Sequence, residues 1–517
     1  KKRKSIGLVG KHIHAFVVRA PAVHIDSAVI SEYDGERRKR RKTSERGTHM
    51  KYEGLNRKIS EMQEEILASV RESIQIRSVK GEPAPEAPYG EGPKHALEHA
   101  LELGRKLGFR TGSMDHRVGW IEYGEGEEMA AVLGHLDVVP EGGGWTYPPF
   151  GGEIHDGKMY GRGVLDDKGP VIGAIYGLKA IRDAGLKLDR RLRVIFGTDE
   201  ENGSSCVKYY IQNGGELPAI GFTPDADYPL IFCEKGQLFW KLTRPAKAGK
   251  TAEGNVPAAK LIRLEGGTAK NVVMPECVLE VEGKLKVKSG EGITVTEENG
   301  RTTVTAVGKG AHGSTPELGI NAAQKLFAAI EDSDLEEGLR QMVRFVLDKI
   351  GTETNGASLG ICYQDEETGE TTVNLGTARG TEEELSLTLD IRYPKNGDRE
   401  EMIRNVKACA AEYGFQAEVE AEGRLLYLPK DSELVKKLMK VYREQTGTEA
   451  EPVAIGGGTY AKNFENMAAF GPVFPGDAAL IHQPDECAEV EKLVKSWQIT
   501  AAAMYEIARK QDEGDQA

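Results

Sequence analysis

RLRVIFGTDEE, residues 191–201, runs an apolar, strand-like segment straight into three adjacent carboxylates, Asp199, Glu200 and Glu201. Like charges repel, and a buried charge is costly without a partner. A chain that ends a core strand this way therefore needs a positive partner there. The segment has counterparts on either side. AAVLGHLDVV (130–139) and AIGFTPDAD (219–227) are short apolar runs with acids at their ends, and KGPVIGAIYGLKAIRDAG (168–185) lies between them with helical spacing. Strands alternating with helices predict a largely parallel sheet covered on both faces. Sites in such sheets lie where strands end and loops begin.

Beyond residue 236 the texture changes. LFWKLTR, CVLEVEGKLKV, GITVTEENGRTTVTAVG and ELSLTLDIRYP alternate apolar and polar residues, the pattern of half-exposed antiparallel strands, with ENG as a turn. Helix-like INAAQKLFAAIED lies among them, and long amphipathic helices return from DSELVKKLMKVYREQTG onward. The expected fold is α/β: a mostly parallel catalytic-domain sheet covered by helices, interrupted by an inserted α+β lid domain with antiparallel sheets. The catalytic domain takes 50–232 and 428–517, and the lid takes 233–427. Residues 1–49 end in GTH before Met50 and hold 13 Lys/Arg against 5 Asp/Glu. They read as a vector-derived or disordered leader, with a basic targeting or nucleic-acid arm as the alternative.

Bulk chemistry narrows the function classes. The 517 residues carry a net charge of −13, and outside the leader the acidic excess is larger still. That disfavours nucleic acid and anionic membranes as partners, since both require a concentrated basic surface. The six cysteines form no C-x-x-C pair, as for buried free thiols in a reducing compartment. No apolar stretch is long enough to span a bilayer. The expectation is a soluble, cytoplasmic protein.

In GHLDVVP, His135 and Asp137 alternate at a strand end and project the same way, the spacing of an imidazole metal ligand with an orienting carboxylate. Alone, His135 also reads as a satisfied core histidine. Asp166 and Asp167, in GRGVLDDKG, are equally natural as helix N-caps. Capping does not explain acids at successive strand ends, however: Glu200 and Glu201 follow, then Asp225 and Asp227, and AALIHQPDE adds His482. Nitrogen and oxygen donors without thiolate suit a pair of divalent cations. One of the adjacent glutamates would bind metal while its neighbour stays free as a base.

Together, GHLDVVP, GRGVLDDKG, TDEE, TPDAD and HQPDE resemble the dinuclear-zinc aminoacylase and carboxypeptidase superfamily. EKGQ, GKGAHGSTPELGINAA and GGGTYAK bring the resemblance closest to the bacterial dipeptidase V type, the Xaa-His dipeptidases. The resemblance covers about residues 50–510. It implies that His135 and Asp225 hold one metal, Glu201 and His482 the other, and that Asp166 bridges both. It makes Asp137 the orienter of His135, Glu200 the general base, and the peptide after Asp166 cis. It implies two divalent metal ions, zinc with cobalt or manganese as alternatives.

From the lid, the resemblance implies that His312 stabilises the oxyanion, with Arg392 and Asn271 gripping the substrate carboxylate. Arg392 also reads as a strand-edge salt bridge and Asn271 as a turn residue. The loop Gly456–Thr459, with Gly457 and Gly458, would offer backbone N–H groups, or else simply lead flexibly into a helix. The lid is about twice the size found in dimeric relatives, so a monomer that supplies His312 from its own chain is expected. The implied function is a metallodipeptidase acting on small, unblocked peptides. An N-acyl amino-acid deacylase or a succinyl-diaminopimelate desuccinylase is the alternative within the enzymes, and a non-catalytic metal-binding protein the alternative outside them. Two further patterns lack their context: G-x-G-x-x-G from Gly308 has no βαβ unit around it, and G-x-S-x-G around Ser358 has no strand-to-helix turn.

Overall fold

A computed structural model describes residues 52–246, 259–478 and 480–510; the leader expected over 1–49 lies outside them. Val118–Tyr123, Arg191–Gly197, Met129–His135, Ile220–Thr223 and Met467–Ala469 are consecutive neighbours in a nine-stranded sheet. Its centre is parallel: Met129–His135 pairs in parallel with both Arg191–Gly197 and Ile220–Thr223, and Met467–Ala469 pairs in parallel with Ile220–Thr223. The flanking Arg110–Met114 and Val118–Tyr123 run antiparallel. Met129–His135 is buried along its whole length, as a strand covered on both faces must be.

Register places the chemistry. His135 lies opposite Gly197, and Val132 lies opposite Phe222. The strands bearing His135, the Asp199–Glu201 loop and the Thr223–Asp225 turn therefore end at one level of one sheet edge. The helix Lys168–Asp183 starts directly after Asp166 and Asp167 and is buried over nearly all of its length. It packs against Val490–Ala508 so closely that a Cβ on Gly173 would lie 2.1 Å from Trp497 Cδ1. This tight crossing anchors the Asp166 loop to the body of the fold.

After Glu234 the chain leaves this sheet, builds a second one, and returns with Leu426–Tyr427 antiparallel to Ile231–Glu234. The second sheet has eight strands, all antiparallel to their neighbours, from Gly236–Pro245 to Gln416–Gly423. Trp240, Phe327, Leu387 and Ile391 belong to its own core. The ENG turn joins Ile293–Glu298 to Arg301–Val307, with Asn299 and Gly300 at φ 53° and 77°, the left-handed pair that a two-residue hairpin requires. Around Ser358 there is a short 3-10 turn, not a strand running into a helix. No helix among the described residues is long and apolar enough to cross a membrane.

Candidate metal centre

The three opening carboxylates go to different partners. Asp199 pairs with Lys80 Nζ at 2.7 Å and accepts a short hydrogen bond from Ser205 Oγ. Glu200 and Glu201 are held by their backbones instead: their N–H groups donate to the two oxygens of Asp137 at 3.0 and 3.2 Å. Asp137, fully buried, also stands 3.5 Å from His135 Nδ1 through Oδ1, and that ring nitrogen lies 2.9 Å from the Asp137 carbonyl oxygen. One carboxylate thus orients the imidazole and shapes the acidic loop.

His135 Nε2 lies 2.9 Å from Asp166 Oδ1 and 3.8 Å from Asp225 Oδ2. On the other side, His482 Nε2 is 3.0 Å from both Asp166 Oδ2 and Glu201 Oε1. Asp166 therefore stands between two half-sites, one oxygen toward each histidine. Donor atoms of His135, Asp166 and Glu201 all fall within 4.8 Å of one another. Tetrahedral zinc with bonds of about 2.0 Å to oxygen and 2.1 Å to nitrogen spaces its ligand atoms about 3.3 Å apart, which these separations bracket. The peptide between Asp166 and Asp167 is cis.

The electrostatics fit a cation. Burial, and then the charges of Glu201, Asp137 and Asp166, push Glu200 up to about 8 against the opposing pull of His135. Burial and Asp166 likewise hold Asp225 well above the ordinary carboxylate range. Glu200 and Asp225, held this way, resist ionising together, and divalent charge reverses that balance. Asp166 is the exception: burial opposes its charge, but hydrogen bonds to His135 and His482 outweigh it and lower its pKa. Asp167 Oδ2 accepts from the His135 backbone N–H at 3.1 Å, while its Oδ1 is buried without a hydrogen-bond partner among the described residues.

The lid residues form a second cluster. Val272 and His312 make an isolated antiparallel bridge, and the Gly313 N–H donates to the Asn271 carbonyl at 2.7 Å. His312 Nδ1 is 2.6 Å from Ser314 Oγ, and the ring makes no hydrogen bond or ion pair with the metal-binding candidates. Burial, then Arg392, lowers its pKa, leaving a neutral ring with Nε2 available. Arg392 is buried. Its Nε and Nη2 donate to Asp390 at 2.8–3.2 Å and its Nη1 to the Gly456 carbonyl at 2.5 Å; with the Gln237 amide oriented to accept, that oxygen takes Arg392 N–H groups at 3.1–3.3 Å.

The loop 456–462 links the two clusters. A Cβ on Gly456 would meet Ser314 Cβ at 2.6 Å, so the loop touches the His312 turn. Farther along, the buried Tyr460 ring sits edge-on to His135 at 5.9 Å. Thr459 donates through N and Oγ1 to the fully buried Glu234 at 2.9 and 2.6 Å.

Some of the supporting residues carry no signal in ligand spacing. Glu486 is fully buried; its Oε1 accepts from Gly163 N and Leu165 N at 3.1 Å each, and its Oε2 from Arg162 Nη1 at 2.7 Å. It ties the His482 loop to the Asp166 loop. Lys168 is buried too, donating to the Ser73 and Ile76 carbonyls at 2.8 and 2.6 Å. Both residues sit inside stretches noted for other reasons, HQPDE and GRGVLDDKG. Their roles depend on which loop meets which, and periodicity does not encode that.

A family model described as peptidase family M20/M25/M40 matches residues 131–506. The chain is 37% identical over 461 residues to the Bacillus subtilis (strain 168) protein named "Putative dipeptidase YtjP", covering 86% of this chain and 98% of that one. Human carnosine dipeptidase 1 matches with a TM-score of 0.54 at 15% identity, over 88% of this chain and 98% of its own. The dipeptidase Dug1p of Saccharomyces cerevisiae matches with a TM-score of 0.54 at 16% identity, over 89% and 99%. At such identities the two structures establish a shared fold.

Proposed function

The chain belongs to the peptidase family M20/M25/M40, and from that premise we propose that it is a two-metal dipeptidase cleaving small, unblocked peptides. The observation that carries this reading is Asp166 standing between His135 and His482, with the Glu200 carboxylate making no hydrogen bond among the described residues. His135 and Asp225 would hold one cation, Glu201 and His482 the other, with Asp166 shared. Zinc is the metal proposed, and cobalt or manganese suit the same donors. When bound, the pair supplies Lewis acidity at the scissile carbonyl and lowers the pKa of water toward neutrality.

The chain's own residues do the rest. Glu200 lines a cavity of about 710 Å³, where it would take the proton of the attacking water and pass it to the leaving nitrogen. Asp137 fixes both the Glu200 backbone and the His135 ring, so the base and the metal ligand keep one spacing. His312, neutral at pH 7, would donate from Nε2 to the developing oxyanion once the second sheet closes over the centre. Arg392 holds Gly456 in place, and the adjacent Gly457 and Gly458 would offer N–H groups to substrate, with Asn271 beside His312 at the rim. We take 233–427 as this lid. Because the same chain carries both clusters, we also propose that it acts as a monomer, in the cytoplasm.

The test is hydrolysis by metal-loaded protein of unblocked dipeptides, a tripeptide, an N-acetyl amino acid and succinyl-diaminopimelate. Dipeptide cleavage abolished by chelator is the expected outcome. Cleavage of the acylated compounds alone would transfer the centre to a deacylase.

A further inference from the structure

Three passages of the chain meet at Glu234. It is the last residue of Ile231–Glu234, and the first strand of the second sheet starts two residues later, at Gly236. The returning chain crosses beside it, with Leu426 opposite Glu234. Ile455, the residue before the Gly456–Thr459 loop, is its parallel partner. Lys235 reinforces the crossing: its backbone N–H donates to the Ile455 carbonyl at 3.0 Å, and its Nζ reaches into the inserted segment to the Glu370 carbonyl at 2.5 Å.

A carboxylate fully buried at such a crossing needs specific partners. Burial raises the Glu234 pKa, with Lys462 and Thr459 opposing. Oε2 accepts from Thr459 N at 2.9 Å and Oε1 from Thr459 Oγ1 at 2.6 Å, while Lys462 Nζ stands 4.0 Å from Oε2. Thr459 Oγ1 accepts in turn from Ala461 N at 3.1 Å and so caps the turn Tyr460–Asn463. In that turn the Tyr460 ring lies edge-on to His135, and its Oη is 2.7 Å from Cys206 Sγ. A Cβ on Gly458 would collide with Lys462 Nζ and lie 3.5 Å from Glu234 Oε2, so Gly458 rests directly on this pair. The loop is thus fixed at two points. Arg392, from the second sheet, holds the Gly456 carbonyl, and Glu234, from the first, holds Thr459. Gly457 and Gly458 lie between them.

We propose that Glu234 is a positioning residue: through Thr459 it sets the Gly457 and Gly458 N–H groups in register with the metal centre, an inference that rests on the dipeptidase reading. Two consecutive glycines rotate freely, so a single fixing point would leave their N–H groups unaimed. A displacement of about 1 Å, even one caused far from the chemistry, costs on the order of 10²-fold in rate. Glu234 prevents it by tying the loop to the sheet that carries His135.

Alanylalanine hydrolysis by metal-loaded wild type, Glu234→Gln, Thr459→Val, Thr459→Ser and the Glu234→Gln/Thr459→Val double variant tests this. Gln keeps the volume of Glu but offers one acceptor oxygen where two are used; Val keeps the shape of Thr without its hydroxyl. The expected result is that Glu234→Gln lowers kcat/KM about a hundred-fold. Thr459→Val should lose less, Thr459→Ser should stay near wild type, and the double variant should be no slower than Glu234→Gln, because the two residues act as one unit. Amide hydrogen exchange over 456–462 should quicken in Glu234→Gln, while 129–135 stays protected and bound zinc is unchanged. Wild-type kcat/KM in Glu234→Gln, losses that multiply in the double variant, or unchanged exchange over 456–462 would each overturn the proposal and leave Glu234 as a partner of Lys462 only. If Glu234→Gln does not fold, Thr459→Val and Thr459→Ser decide, since both leave the Glu234–Lys462 pair in place; equal kcat/KM in those two would overturn it. The dipeptidase reading fails on a different result, a wild type that cleaves only acylated amino acids, and the same ratios measured on N-acetylalanine then put the question to Glu234.

Discussion

Replacing Glu200 by Gln is expected to lower turnover roughly a thousand-fold, within the range of about 10² to 10⁴ that a positioned general base contributes. The metal content should stay at the wild-type level. Both follow from the proposed roles: the Glu200 backbone N–H, which Gln retains, holds the loop on Asp137 at 3.0 Å, while the lost carboxylate would be the proton acceptor and no metal ligand. A stability effect accompanies the kinetic one. The folded protein holds Glu200 at about 8, against 4.5 for an ordinary glutamate, through burial first and the neighbouring acids after it. A carboxylic acid raised on folding favours the native state below its unfolded pKa, and that contribution is lost as pH rises through the folded value. At pH 7 metal-stripped Glu200→Gln should therefore melt above metal-stripped wild type. Thermal melts from pH 4.5 to 8 check the sign, since the gap should widen as pH rises. A variant that keeps wild-type turnover would remove Glu200 from the mechanism.

Asp166→Asn should be the more damaging change, because it reaches both half-sites at once. Asp166 faces His135 Nε2 at 2.9 Å and His482 Nε2 at 3.0 Å. A carboxamide offers one oxygen where the carboxylate offers two, and removes the negative charge that both cations would share. Loss of several kcal/mol of charge stabilisation corresponds to a rate loss on the order of 10³-fold or more. Unlike Glu200→Gln, this variant should also lose the thermal stabilisation that zinc confers. A ligand present at a thousand times its Kd stabilises by about 4 kcal/mol, so zinc should raise the wild-type Tm markedly and leave that of the variant nearly unmoved. Equal zinc-induced shifts in the two proteins would show that Asp166 bridges nothing.

Much of the centre was legible in sequence because strand ends recur. The acids after His135, Gly197 and Thr223 fall where the parallel sheet turns into loops, Asp166 falls in the loop before the helix Lys168–Asp183, and register sets His135 level with Gly197. The antiparallel texture of the second sheet was equally plain from two-residue alternation. The donors consumed around Arg392 were not legible: no local pattern says that Asp390, Gly456 and Gln237 converge on one guanidinium. Nor was the clamp of Glu486 onto Gly163 and Leu165, 323 and 321 residues away in sequence. Lys462 lies inside GGGTYAK, but that its ammonium is largely buried and makes no hydrogen bond among the described residues depends on tertiary packing alone.

The central claim is that these carboxylates and histidines form a two-cation hydrolytic centre. Titrating zinc into chelator-stripped protein, with dipeptide hydrolysis followed at each addition, tests it most directly. Two equivalents bound per chain, with activity appearing as the site fills, is the predicted result. Binding of no zinc, or full activity in its absence, would contradict it.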